Sequence, residues 1–205
     1  MRPLFPLFQS HLDLAHSLWA QIVNRGDCVI DATCGNGHDT LTLGRLVLDT
    51  YLKEGKVYGI DLQQKAIAAT HTLLDLHLPL GWQGQISLHQ QSHRTFPNEI
   101  TPKSVKLIVY NLGYLPGGNK EQTTITDSTL QSLNEAIKLL APGGAISMTC
   151  YPGHPEGAKE QAAIIDLLTQ FSPKEWSCTR HEWLNRKRSP QLFLIQNLID
   201  YNPNV

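Results

Sequence analysis

Three segments of this sequence hold residue types in combinations that can bind and react. Asp31-Ala32-Thr33-Cys34-Gly35-Asn36-Gly37 joins a carboxylate to a glycine-rich bend directly after the apolar run 28–32. Glycines in such a bend let the backbone approach a ligand where a Cβ would collide. Asp61 closes the next apolar run, 56–61, and a carboxylate there can accept both hydroxyls of a ribose. Gln91, Ser92 and His93 follow a third run, 85–89, at a place where an adenine can sit. All three segments fall at the carboxyl ends of expected neighbouring parallel strands, where open α/β sheets bind ligands.

The bend separates two ligand classes. A dinucleotide fingerprint reads G-x-G-x-x-G, with a helix N-terminus facing a pyrophosphate. Here Thr40 stands where the third glycine belongs. Asp31 also precedes the bend, and a carboxylate there suits the ammonium of a methionine moiety and repels a pyrophosphate. Both features point to S-adenosyl-L-methionine rather than NAD. The alternative reading of Asp31 is a turn or helix cap.

A fourth segment, Tyr110-Asn111-Leu112-Gly113-Tyr114-Leu115-Pro116-Gly117-Gly118, follows the run 105–110 and faces the expected methyl donor. The Asn111 amide oxygen and the Leu112 carbonyl are two acceptors that can hold an amine with its lone pair free. Tyr114 can stack on a planar base. The layout is similar to the Asn/Asp-Pro-Pro-Tyr/Phe motif of amino-directed methyltransferases, with Leu-Gly in place of Pro-Pro. A plain strand-ending turn is the competing reading. His154, in Tyr151-Pro152-Gly153-His154-Pro155-Glu156-Gly157, either accepts the amine proton or is a structural loop histidine. For His93 the structural reading is preferred. Arg186, Lys187 and Arg188 form a compact basic loop that can contact phosphates, or simply a solvated surface.

The elements that must position these groups alternate between apolar runs and helical patterns. Helices are expected over 8–24, 38–52, 64–77, 128–140 and 156–170. Strands are expected over 28–32, 56–61, 85–89, 105–110 and 145–150, with Pro142-Gly143-Gly144 as a stop signal before the fifth. Two last strands, 176–183 and 191–197, are close enough to pair antiparallel. The alternation predicts an α/β fold: a seven-stranded, mostly parallel sheet with an antiparallel last strand and helices on both faces. With 205 residues a single domain, 1–205, is expected, with residues 1–25 as an N-terminal capping region.

Hydrophobic residues make up 41% and charged residues 17%, which is a globular balance. The formal net charge of -1 provides no global basic field for nonspecific nucleic-acid binding. Four widely spaced cysteines form no CxxC pair, so neither a disulfide framework nor a zinc site is expected, and no metal is required. The first residues do not read as a signal peptide, and no run approaches membrane-spanning length. A cytoplasmic, membrane-free setting follows. Monomer and homodimer both stay open.

Together these residues resemble the rRNA methylase family, associated with methylation of the aminomethyl group of 5-aminomethyl-2-thiouridine at the tRNA wobble position. The matching stretches are Asp31 to Thr40, Val57 to Gln63, Ser92-His93, Asn111 to Gly118, Gly153 to Gly157 and Asn185 to Pro190, spread over nearly the whole chain. The resemblance implies a Rossmann-like class I methyltransferase that acts on a tRNA anticodon stem-loop. It implies that Asp31, Gly35, Asp61 and Gln91 to His93 hold the cofactor, and that Asn111 and Tyr114 border the amine. Thr33, Asn36, Gly37, Asp39, Thr40, Gln63 and, in a second role, Asn111 complete the expected cofactor set, and Gly113 and Pro116 join Leu112 on the substrate side. Pro152 departs from the family pattern, which has a histidine there. The alternatives are methylation of another RNA base, such as one in rRNA, or of a small amine; a noncatalytic RNA-binding module; and an NAD-dependent oxidoreductase.

Overall fold

Period-two alternation along the apolar runs settles the layering. Val29, Val57, Leu107 and Val109 pack into one buried cluster, while Ile30, Tyr58, Ile108 and Tyr110 pack into another on the opposite face of the sheet. Both faces are therefore covered, as the long apolar strands require. The structure is a computed structural model that describes residues 7–49, 51–113 and 126–198.

Seven strands form one sheet: β1 (Cys28–Asp31), β2 (Lys56–Asp61), β3 (Ile86–Gln90), β4 (Val105–Asn111), β5 (Leu140–Cys150), β6 (Trp176–His181) and β7 (Gln191–Asn197). Their order is β3-β2-β1-β4-β5-β7-β6. β1 to β5 run parallel; β7 is antiparallel to both β5 and β6. Helices α1 (His11–Ile22), α2 (His38–Val47) and α3 (Gln64–His77) cover one face. Helices α4 (Thr126–Leu139) and α5 (Pro155–Leu168) cover the other. This is the expected α/β architecture.

Two boundaries differ from expectation. α2 ends at Val47 rather than near residue 52. The Val47 carbonyl accepts from the Gly26 N–H, and the Asp49 carboxylate accepts from the Tyr51 and Leu52 N–H groups in a side-chain-capped turn. The second departure is at Pro142-Gly143-Gly144, which does not separate a helix from a strand. β5 already begins at Leu140, and its register against β4 shifts between Val105 and Leu107. The irregularity is satisfied locally, since Lys106 Nζ donates to the Gly143 carbonyl at 2.9 Å and the Gly143 N–H donates to that of Leu198 at 3.1 Å.

The chain order of the strands reverses between β1 and β4. Ligands of open α/β sheets bind in the crevice outside such a switch point. Its two walls end in Asp31 and Asn111.

Candidate active site

The loop after β1 is held open by three contacts. The Cys34 N–H donates to the Ile60 carbonyl at 2.9 Å, tying the bend to β2. The Gly35 N–H donates to Asp61 Oδ2 at 3.0 Å, and Thr70 Oγ1 of α3 donates to the Gly35 carbonyl at 3.1 Å. Gly37 caps α2 with φ +85°, and a Cβ there would lie 2.8 Å from the Thr70 Cα. The smallness of Gly37 thus serves helix packing as well as the turn.

Asp61 takes one hydrogen bond on each oxygen, from Gly35 N–H and from Gln63 N–H at 2.9 Å. Each carboxylate oxygen has a further acceptor position, so the pair still suits the two hydroxyls of a ribose. Asp31 is 1% exposed. Its Oδ2 accepts from Thr40 Oγ1 at 2.6 Å and its Oδ1 from the Thr33 N–H at 3.2 Å. Burial, and next the nearby Asp39 carboxylate, push the Asp31 carboxyl up to about 7. A buried acid with a raised pKa gains by pairing with a cation, so this donor set fits the ammonium of a methionine group. Thr40, expected at the cofactor, is fully buried and gives its hydroxyl proton to Asp31.

Asn111 ends β4 directly across the switch point. Its N–H donates to Thr33 Oγ1 at 2.7 Å, which joins the end of β4 to the loop after β1. Its side-chain Nδ2 donates to Asp39 Oδ2 at 3.3 Å. The other Asp39 oxygen accepts from His16 Nε2 of α1 at 2.7 Å. Both Asp39 oxygens therefore already have partners. Leu112 is buried, and its N–H donates to the Thr149 carbonyl at 2.9 Å. A Cβ on Gly113 would stand 3.5 Å from the Tyr151 ring. Tyr114 and Pro116 lie outside the described residues.

Just after β3, Gln91 N–H donates to the Asp61 carbonyl at 3.0 Å, and its side chain turns back to the Thr95 carbonyl at 2.7 Å. Ser92 Oγ accepts from the Arg94 N–H. Asn36 is exposed and Gln63 is the N-cap position of α3. The His93 ring stands edge-on to Tyr110, with centroids 6.0 Å apart, and burial lowers its pKa to about 4. The imidazole is therefore neutral at physiological pH.

His154 caps α5. Its Nδ1 accepts from the Gly157 N–H at 3.1 Å, and Pro155 occupies the first helical turn. The lone pair on that nitrogen is thus engaged by the helix. The dipeptide His-Pro before a helical run was the sequence signal for this role.

The basic loop reaches the same rim. β7 begins with Gln191 opposite Cys150, at the carboxyl end of β5, so the β6–β7 connection lies at the ligand edge of the sheet. Lys187 and Arg188 are exposed there. Arg186 lies over the Trp183 ring at 4.0 Å and donates to the Gln9 carbonyl at 2.9 Å. His11, His16 and Thr70 were not expected at the site, and Tyr151 was expected only as part of the segment that follows β5. For Thr70 a signal existed: it is a polar residue in the buried stripe Ala66-Thr70-Leu74 of α3. His11 and His16 arrive from a distant segment, α1, and no local pattern marks them.

Among the described residues no three His, Cys, Asp or Glu side chains gather as metal ligands, and no helix is long and apolar enough to cross a membrane. All four cysteines are free thiols.

The family model described as "Putative rRNA methylase" matches residues 57–197. A curated relative from Arabidopsis thaliana, "tRNA (mnm(5)s(2)U34)-methyltransferase, chloroplastic", is 40% identical over 187 residues, covering 89% of this chain and 68% of that protein. The structure of an rRNA methylase from Clostridium thermocellum superposes with a TM-score of 0.85 at 34% identity, covering 93% of this chain and 99% of that one. A methyltransferase from Streptococcus mutans, solved in complex with SAH, superposes with a TM-score of 0.79 at 26% identity over the same shares. The fold and the crevice are those of a class I methyltransferase. Within that class, the chain belongs to the rRNA methylase family.

Proposed function

We propose that the chain transfers the methyl group of S-adenosylmethionine to the aminomethyl nitrogen of a 5-aminomethyl-(2-thio)uridine at the wobble position of tRNA. The observation that carries this reading is Asn111, placed across the switch point from Asp31 and Asp61 and tied to the cofactor loop through Thr33. When bound, the cofactor supplies a sulfonium-activated methyl group. Asp61 holds its ribose, and Asp31 its ammonium. The Asn111 oxygen and the Leu112 carbonyl accept the two N–H groups of a neutral amine, which leaves its lone pair directed along the line of displacement. Positioning provides most of the acceleration. With His154 Nδ1 engaged by α5, solvent is the proton acceptor this reading favours. The 40% identity to a plant wobble-uridine methyltransferase supports the choice of amine. A cytoplasmic address belongs to the same reading, although that relative is named chloroplastic.

The test is methyl transfer by the purified protein to tRNA that carries 5-aminomethyl-uridine, beside unmodified tRNA and rRNA, with nucleoside mass spectrometry as the readout. Methylamine product on the first substrate alone is expected. Transfer to rRNA alone, or none to any of the three, would refute the assignment.

The basic loop belongs to the same proposal as a phosphate-contacting surface. Lys187→Ala with Arg188→Ala is expected to weaken tRNA binding regardless of wobble modification. The slope of log affinity against log salt should flatten by about one for each phosphate left without its cation. An unchanged slope in filter binding would leave the loop as solvated surface.

A further inference from the structure

Asn111 is useful to an amine only if its oxygen, not its nitrogen, faces the crevice. An amide side chain is nearly symmetric in shape, so packing alone does not choose between the two orientations. Here the choice is made by chemistry. The Asp39 carboxylate can only accept, so the atom facing it at 3.3 Å is Nδ2. Asp39 is itself fixed by His16 Nε2–H at 2.7 Å, from the first helix of the chain. Burial pushes the Tyr151 phenol up to about 12, and the Asn111 side chain near it works against that rise. Tyr151 is in turn held by His11 Nε2 at 3.0 Å, with the rings edge-on at 5.5 Å. His11 and His16 both belong to α1, whose start is fixed by a reciprocal Ser10–Asp13 capping box.

We propose that α1 is a positioning element for the amine: His16 through Asp39, with His11 through Tyr151 beside it, locks the Asn111 amide with its oxygen toward the nucleophile. This rests on the amine-methylating reading above. Asp39 is therefore a positioning residue between the cofactor loop and the acceptor. The groups that face this network are Asp13 and His16 near His11 on α1, Asp39 on α2 and Tyr151 after β5. The arrangement joins residues up to 140 positions apart in the chain. A helix placed only to cover the sheet would need apolar contacts, which Ala15 and Trp19 already provide. Two histidines aimed at the crevice are surplus to that purpose.

The test is a double-mutant cycle. His16→Ala is expected to lower kcat about tenfold with KM for S-adenosylmethionine unchanged, and His16→Gln, which keeps an N–H donor, to restore most of the loss. In an Asn111→Ala background, His16→Ala should add nothing further, because its effect passes through the amide. Additive losses, equal losses in the Gln variant, or parental kcat in His16→Ala would each overturn the lock. If the parent methylates no aminomethyl-uridine, the substrate reading fails, and the lock is judged by NMR on the Asn111 side-chain amide. Its protons should be displaced from exposed-asparagine positions in the parent and move toward them in His16→Ala. Identical spectra would overturn it.

Discussion

Asn111→Ala is expected to lower kcat by about a hundredfold or more while the dissociation constant for S-adenosylmethionine stays at the parental value. The size follows from what the side chain does. In the proposed geometry it supplies one of two acceptors that fix the direction of the amine lone pair, and a misplacement of about 1 Å at a reacting centre costs about a hundredfold. Cofactor affinity is spared because Asp31, Asp61 and the bend at Gly35 are held by contacts that do not include the Asn111 side chain. The backbone bond from Asn111 N–H to Thr33 Oγ1 survives the substitution, so the crevice keeps its width. Single-turnover rates with saturating cofactor, beside calorimetric titration, separate the two quantities. Parental turnover would remove Asn111 from the amine. Weakened cofactor binding of the same size would mean that it serves the cofactor instead.

The second large effect is tied to pH. Asp31 is buried, and burial together with the Asp39 carboxylate raises its pKa to about 7 from an ordinary value near about 3.9. A raised acid pKa in the folded state gives stability that is complete below about pH 4 and lost as pH rises through about 7. Binding an ammonium favours the ionised form, so the dependence of cofactor affinity has the opposite sign. Affinity should rise as pH increases toward about 7 and then level, with proton release on binding at lower pH. Asp31→Asn should abolish that dependence and weaken S-adenosylmethionine about ten- to a hundredfold above neutrality, the worth of a hydrogen bond to a charged group. The same variant should melt no lower than the parent at pH 8, because it removes a buried charge while its amide can still pair with Thr40 and Thr33. Calorimetry in buffers of different ionisation enthalpy, at pH 6 and pH 8, reads the proton directly. Equal affinities at the two pH values would place the ammonium elsewhere.

The sequence was most legible where function and local structure share one segment. Asp31, Gly35 and Gly37 stand in a single strand-to-helix turn, and Asp61 stands at the next strand end, so strand recognition alone placed them together. Asn111 was found in the same way. The mostly parallel sheet followed from alternation, and the antiparallel pairing of the last two strands from their short connection. What the sequence hid was contact between segments. His16 meets Asp39 only after α1 folds onto α2, and nothing near residue 16 marks that meeting. Tyr151 was visible only as part of a loop, although its hydroxyl joins α1 to the end of β4. The role of His154 turned on a detail of helix capping, and the early end of α2 on one aspartate capping a turn.

The insertion of β7 between β5 and β6 folds the last hairpin back so that its tip meets the beginning of α1. Arg186 is the rivet, its guanidinium resting on Trp183 and bonded to the Gln9 carbonyl just ahead of the helix. On the proposed reading of the loop, a polyanion settling on that tip would compete for the same guanidinium. Grip on that strand and the seating of the helix that carries His11 and His16 would then be linked through one side chain, and changes at that position would alter both.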